Sequence, residues 1–198
     1  MYKHFFKRLL DIIGAIIVLP FVLLVIVIFA PIIYFTDRGP VFYCGERMGK
    51  NGNVFKMFKF RSMYVNAPDI RNEDGSTFNS DKDKRVTPIG GILRKTSLDE
   101  FPQFLNVLIG DMSFIGPRPT LTTLPYEEYD EILKKRVSVR PGVTGYSQAF
   151  YRNSISQAEK YKLDCDYVDH LTFMLDVKVL FYTFYSVILR KNINTYPK

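Results

Sequence analysis

The 198-residue chain has no tryptophan, two cysteines and two histidines. Cys44 and Cys165 lie far apart, as do His4 and His170, so neither pair has the close spacing of a zinc or haem site. Two distant cysteines make no disulfide framework and read as free thiols of a reducing compartment. Negative charge is the scarcer sign: 20 acidic residues face 27 lysines and arginines, a net charge of +7. That surplus suits an anionic partner, whether nucleic acid, lipid head groups or a phosphorylated substrate. The basic residues are scattered and no nucleic-acid-binding motif accompanies them, which argues against nucleic acid. No internal repeat or second-domain linker interrupts the chain, and its length fits one domain with a real core.

The longest feature present is apolar. Ile12 to Phe35 runs for 24 residues without a charge. At ~1.5 Å per residue an unbroken helix would reach ~36 Å, enough to cross a bilayer. The run is too long for the core of a signal peptide, and no small-residue cleavage site follows it. Pro20 and Pro31 interrupt it, and each removes one N–H bond and crowds the preceding turn, marking a kink. Lys3, Lys7 and Arg8 precede the run, and Arg38, Arg47 and Lys50 follow it. Positive flanks mark the cytoplasmic side, so both ends ask for the same side. A kinked spanning helix and a helix that enters one leaflet, bends near Pro20 and returns are both open; the second satisfies both flanks. Residues 1–38 thus read as a membrane-associated segment and 39–198 as a cytoplasmic domain seated on the membrane.

Two aromatic-rich runs around Asn51-Gly52 predict a β-hairpin. Alternation along the second run sets Phe58 and Phe60 on one face and Phe55, Met57, Lys59 and Arg61 on the other. Lys59 and Arg61 then point together, as two phosphate donors would, or as solvated charges on an exposed face. Residues 66–85 are polar and turn-rich and predict a long surface loop.

The segment Lys95-Thr96-Ser97-Leu98-Asp99-Glu100-Phe101-Pro102-Gln103 places two adjacent carboxylates in a basic chain. Ser97 with Glu100 fits a capping box, and acidic residues suit the partial positive charge of a helix N-terminus. Leu98, Phe101, Leu105, Leu108 and Ile109 then form the expected buried face, with Asp99, Gln103 and Asn106 on another. The same pair can border a cleft and act chemically. Downstream, Arg118 lies between Pro117 and Pro119, and Arg140 precedes Pro141-Gly142. Proline stiffens the backbone on either side, which suits bidentate phosphate recognition by arginine. Arg152-Asn153 opens a further stretch predicted to be helical.

At this point the residues carry a resemblance. The segments "FKFRSM" (58–63), "RVTPIGGILRKTSLDEFPQFLNVLIGDMSFIGPRP" (85–119), "VRPGVTG" (139–145) and "FMLDVKVL" (173–180) resemble the bacterial sugar transferases, the small monotopic phosphoglycosyl transferases that act on polyprenyl phosphate. The resemblance implies an α+β, mainly helical fold: an N-terminal re-entrant membrane helix hairpin kinked at Pro20, a small β-hairpin, catalytic helices and interfacial amphipathic helices. It implies that Asp99 and Glu100 are catalytic and also hold Mg²⁺. Asp99 would attack a UDP-sugar, UMP would leave, and the phosphosugar would pass to undecaprenyl phosphate. Lys59, Arg61, Arg85, Arg94, Arg118, Arg140 and Arg152 fall in the matched motifs or beside them as phosphate ligands. The implied place is the cytoplasmic face of the bacterial inner membrane, with the bilayer, a second copy and downstream glycosyltransferases as partners. In the pattern, relatives carry Ser-Pro at the helix break where this chain has Leu19-Pro20, and their Gly-Arg-Asn is Tyr151-Arg152-Asn153 here. A membrane-anchored UDP-sugar hydrolase and a non-catalytic scaffold are the alternatives.

Overall fold

The computed structural model describes residues 1–70, 78, 80, 83–151 and 154–188. It is a mixed α+β fold, mainly helical, with one long apolar N-terminal helix, α1 (Lys7–Asp37). Lys7, Asp11, Ala15, Val22 and Ile33 are its buried positions. Their spacings of 4, 4, 7 and 11 repeat one helical face, so a single stripe lies against the rest of the protein. The other faces present Ile17, Phe21, Leu24 and Val27, all more than half exposed. A core helix of a water-soluble protein would bury such residues; α1 leaves them exposed and is by length and composition enough to cross a membrane. The helix runs through Pro20 and Pro31 as one element. The break the sequence suggested at Pro20 is therefore not a loop between two helices.

Polar side chains fix α1 along its length. Lys7 Nζ reaches Asp176 Oδ2 at 2.5 Å, and the Tyr2 hydroxyl donates to the same oxygen at 2.6 Å. The Arg8 guanidinium donates to the carbonyls of Val107 and Leu108, at the end of α3 (Gln103–Ile109). Asp11 Oδ1 accepts from Ser113 Oγ and the Phe114 amide, both at 3.0 Å. At the far end Asp37 takes both Arg61 Nη atoms, at 2.5 and 2.6 Å.

The predicted hairpin forms. β1 (Phe42–Met48) and β2 (Val54–Phe60) pair antiparallel, from Phe42 opposite Phe60 to Met48 opposite Val54. Asn51 and Gly52 take positive φ values of 56° and 85°, which an asparagine and a glycine adopt with the least strain. Phe55 and Met57 bury against Ala15, Val107 and Met112, while Phe60 packs on the other side against Ile33 of α1 and Leu93 of α2 (Pro88–Thr96). The polar stretch 66–85 leaves and re-enters at an isolated bridge between Met63 and Val86; its residues 71–77, 79, 81 and 82 lie outside the described residues.

The expected helix from Ser97 is divided. α2 runs to Thr96, and Ser97, at φ 59°, closes α2 as a left-handed cap and precedes the next turn in the N-cap position without the side-chain bond of a capping box. Leu98–Glu100 is a single 3-10 turn, and α3 starts only at Gln103. Pro102 explains the division, because its ring would clash with the Leu98 carbonyl in a continuous α-helix. The expected buried face is also turned. Gln103 and Asn106 are buried while Ile109 is 63% exposed. Asn106 acts as a bracket to β2: its Oδ1 accepts from the Phe58 amide at 2.9 Å and its Nδ2 donates to the Lys56 carbonyl at 2.8 Å.

The segments around the two Arg-Pro pairs lie side by side. β3 (Ser113–Ile115) and β5 (Gly142–Thr144) pair in parallel. A Cβ on Gly116 would meet the Arg140 carbonyl at 2.4 Å, so only glycine permits this approach. The short β4 (Thr120–Leu121) joins β1. Beyond α4 (Glu131–Arg136) and α5 (Tyr146–Phe150), α6 (Gln157–Asp169) and α7 (Phe173–Ile188) complete the core through Tyr167, Val168 and Val179.

Candidate active site

Asp99 and Glu100 sit on the 3-10 turn between α2 and α3. Three neighbouring elements bring cations to them. Lys59, near the end of β2, donates to Glu100 Oε1 at 2.6 Å. Arg118, held between its two prolines, places Nη2 3.7 Å from the same oxygen with a half-exposed side chain. Arg94, on the last turn of α2, anchors its Nε on Ser62 Oγ at 2.8 Å and bears on Asp99 electrostatically. Gly90 makes that anchoring possible, since a Cβ there would strike the Ser62 carbonyl at 2.0 Å and push α2 away.

The two carboxylates are driven apart. Burial, then the Glu100 charge, pushes Asp99 up to about 6 against the pull of Lys59, Arg94 and Arg118. Burial also opposes ionisation of Glu100, but Lys59, Arg118 and the Gln103 amide outweigh it and hold it low, at about 2. Two adjacent acids with one held ionised and the other titrating near neutrality are suited to different roles. Asp99 interacts with its cations through space rather than through hydrogen bonds, which leaves its oxygens accessible to a reaction partner.

The seven cations named from the sequence separate. Lys59, Arg94 and Arg118 gather at the dyad. Arg61 is bound to Asp37 and Arg85 to Asp83, both ion pairs being largely buried. Arg140 points to the other end of α3, where its Nε donates to the Gly110 carbonyl at 2.8 Å. Arg152 lies outside the described residues.

Two further residues gain a place at the site from the structure. Gln103, 2% exposed, turns its Nε2 to the Glu100 side without a well-formed hydrogen bond. A buried amide that faces Glu100 favours its ionised carboxylate. Arg136 is buried in an ion pair with Asp164 at 2.8 Å and also donates to the Arg118 carbonyl at 3.0 Å and to Thr120 Oγ1. It holds the backbone that presents Arg118. The polar stripe containing Gln103 was visible in the sequence; nothing there distinguished Arg136 from its neighbours Lys134 and Lys135.

Among the described residues no three His, Cys, Asp or Glu side chains cluster for a metal. Mg²⁺ needs less, since it keeps waters and takes one or two carboxylates together with substrate phosphates. The open Asp99 carboxylate next to Glu100 fits that requirement.

The structure thus joins an apolar helix with exposed faces to a carboxylate pair among three cations. The chain belongs to the bacterial sugar transferase family, whose model matches residues 2–190, and is a transferase. It is 41% identical over 197 residues to a galactosyl transferase, CpsE, of Streptococcus agalactiae, covering 95% of this chain and 43% of that one. It is 39% identical to the uncharacterised sugar transferase EpsL of Bacillus subtilis, covering 94% and 89%. With an undecaprenyl-phosphate galactose phosphotransferase of Salmonella typhimurium it shares 35% identity, covering 96% and 42%. The chain thus spans less than half of the first and third relatives and most of the second.

Proposed function

We propose that this protein transfers a sugar 1-phosphate from a UDP-sugar to undecaprenyl phosphate, the first membrane step of glycan assembly. The observation that carries this reading is the split dyad ringed by Lys59, Arg94 and Arg118, on a domain that offers an apolar helix to the bilayer. The name of the Salmonella relative, an undecaprenyl-phosphate galactose phosphotransferase, supports undecaprenyl phosphate as the acceptor and a sugar phosphate as the group transferred.

In the proposed reaction an Asp99 oxygen attacks the phosphorus that carries the sugar. The bond from that phosphorus to the bridging oxygen breaks, and UMP leaves with the electron pair. An oxygen of the lipid phosphate then attacks the same phosphorus and displaces the Asp99 carboxylate, giving a lipid diphosphate sugar. The phosphorus keeps its net bonding in each step, and no oxidant or reductant is needed. Acyl phosphates are reactive enough for the second step. Mg²⁺, bound by Asp99 and Glu100 with substrate oxygens, would supply further charge neutralisation. Lys59, Arg94 and Arg118 offset the repulsion between an anionic nucleophile and an anionic diphosphate. Glu100, ionised, keeps Lys59 and Arg118 in place.

The topology in this reading is monotopic, on the cytoplasmic face of the inner membrane. Lys7 and Asp37, at opposite ends of α1, are both tied to the same domain. A helix crossing a ~30 Å hydrocarbon layer would part those ends. In this reading α1, one continuous helix, kinks at Pro20 and leaves by the face it entered, which keeps both.

The test is UMP release by purified protein in nanodiscs, with a panel of UDP-sugars, with and without undecaprenyl phosphate. Release that depends on the lipid, with a phosphosugar adduct on intact protein by mass spectrometry, is expected. Asp99→Asn should lose both signals. Lipid-independent release would make the protein a UDP-sugar hydrolase, and no release with any sugar would make it a scaffold.

A further inference from the structure

A cavity opens at the start of α1. Its lining includes Lys3, Lys7, Arg8, Lys50 and Arg140, with Asp11. It sits at the C-terminal end of α3, where Arg8 and Arg140 cap the carbonyls of Val107, Leu108 and Gly110. The dyad precedes the N-terminal end of the same helix, whose seven residues measure ~10 Å. A phosphate-sized ligand in this cavity does not reach Asp99.

The cations here are poorly compensated. Lys7 has Asp176. The Asp11 oxygen Oδ1 is committed to Ser113 and Phe114. Lys3 has only the Val168 carbonyl at 3.5 Å, and Arg140 spends its Nε on a carbonyl. Lys50 forms no side-chain hydrogen bond or ion pair among the described residues. Like charges collected around a concavity focus potential on it and make it an anion site. The cavity measures about 50 Å³, several times the ~10–15 Å³ that one water needs, which is room for a phosphoryl group.

The surroundings identify the carrier of that anion. Leu9, Leu10 and Ile13 of α1 and Phe173 and Met174 of α7 are exposed beside the cavity-lining residues in sequence. Tyr2, in the turn that precedes α1, meets Phe173 of α7 edge to face, with ring centres 5.8 Å apart. A cationic hollow next to bare apolar residues matches a molecule with a phosphate head and hydrocarbon tails.

We propose that this cavity binds the phosphate of an anionic glycerophospholipid and seats the start of α1 in the head-group layer. The proposal rests on α1 entering a membrane and is independent of the transfer chemistry. The test uses the full chain in mild detergent, titrated with phosphatidylglycerol, phosphatidylcholine or inorganic phosphate, and counts bound molecules by native mass spectrometry. One phosphatidylglycerol per chain should be retained at concentrations at least tenfold below those needed for phosphatidylcholine, and inorganic phosphate should displace it at high concentration. Lys3→Gln and Lys50→Gln should each weaken retention about fivefold and together about twentyfold, from the usual worth of one lysine near an anionic surface. Circular dichroism of the variants should match the wild type, so that a loss reads as lost binding. Phosphatidylglycerol held as well by the double variant as by the wild type, or no better than phosphatidylcholine, would overturn the proposal. Inorganic phosphate binding as tightly as the lipid would also overturn it, by assigning the cavity to the free anion.

Discussion

Lys59 acts on both carboxylates of the dyad: it hydrogen-bonds Glu100 and lowers Asp99 against burial. In the proposed reaction Asp99 attacks as a carboxylate, so kcat/KM should fall as pH drops through about 6, where burial and the Glu100 charge place its protonation. Lys59→Met removes a cation that favours the ionised form, so the acid limb should move to higher pH and part of the activity lost at neutrality should return in alkali. An unmoved limb in this variant would separate the limb from Asp99. Arg118→Ala should cost roughly one to two decades in rate, the worth of a charged donor to a developing anion. Gln103→Leu, which fills the same buried space without the donor, should lower kcat/KM while leaving the fold intact by circular dichroism. The candidate dyad was singled out by the resemblance of the segment around it, since adjacent acids also occur at Glu73-Asp74, Glu127-Glu128 and Asp130-Glu131. Which cations serve it was not legible in the sequence, since Arg61 and Arg85 find their own carboxylates only when the chain is folded.

At the scale of elements, α3 shows what periodicity leaves out. Spacing alone placed its leucines and Ile109 inside and set its amides on another face, as a site floor or as a solvated side. The fold buries the amides because Asn106 replaces a missing neighbour for β2, supplying one acceptor and one donor to the strand backbone. Asn106→Leu should therefore destabilise the protein by about 3 kcal/mol, with buried strand groups left unpaired, and chemical denaturation in detergent should measure it. The hairpin, by contrast, was fully legible, since Asn51-Gly52 states its turn locally. Arg136 and Asp164 were not, because their pairing joins α4 to α6 across 28 positions. Breaking one partner of this buried pair, as in Arg136→Met, should cost on the order of 3–5 kcal/mol and also lower activity, since Arg118 loses its backbone support.

At the scale of the whole molecule, the apolar run was evident in composition, while its attachment along the domain was not. Single cysteines placed before Lys7 and after Arg38, in a background without Cys44 and Cys165, should both resist a membrane-impermeant thiol reagent in intact cells. Labelling of just one would show a spanning helix. The ties at the two ends of α1 carry a further consequence. A hull floats at a depth set by its keel, and here the keel is α1, fastened to the domain at Lys7 and Asp37. The waterline of the dyad is then set by how far α1 sinks. Thicker or thinner bilayers should raise or lower the reaction centre relative to the level at which a lipid phosphate floats.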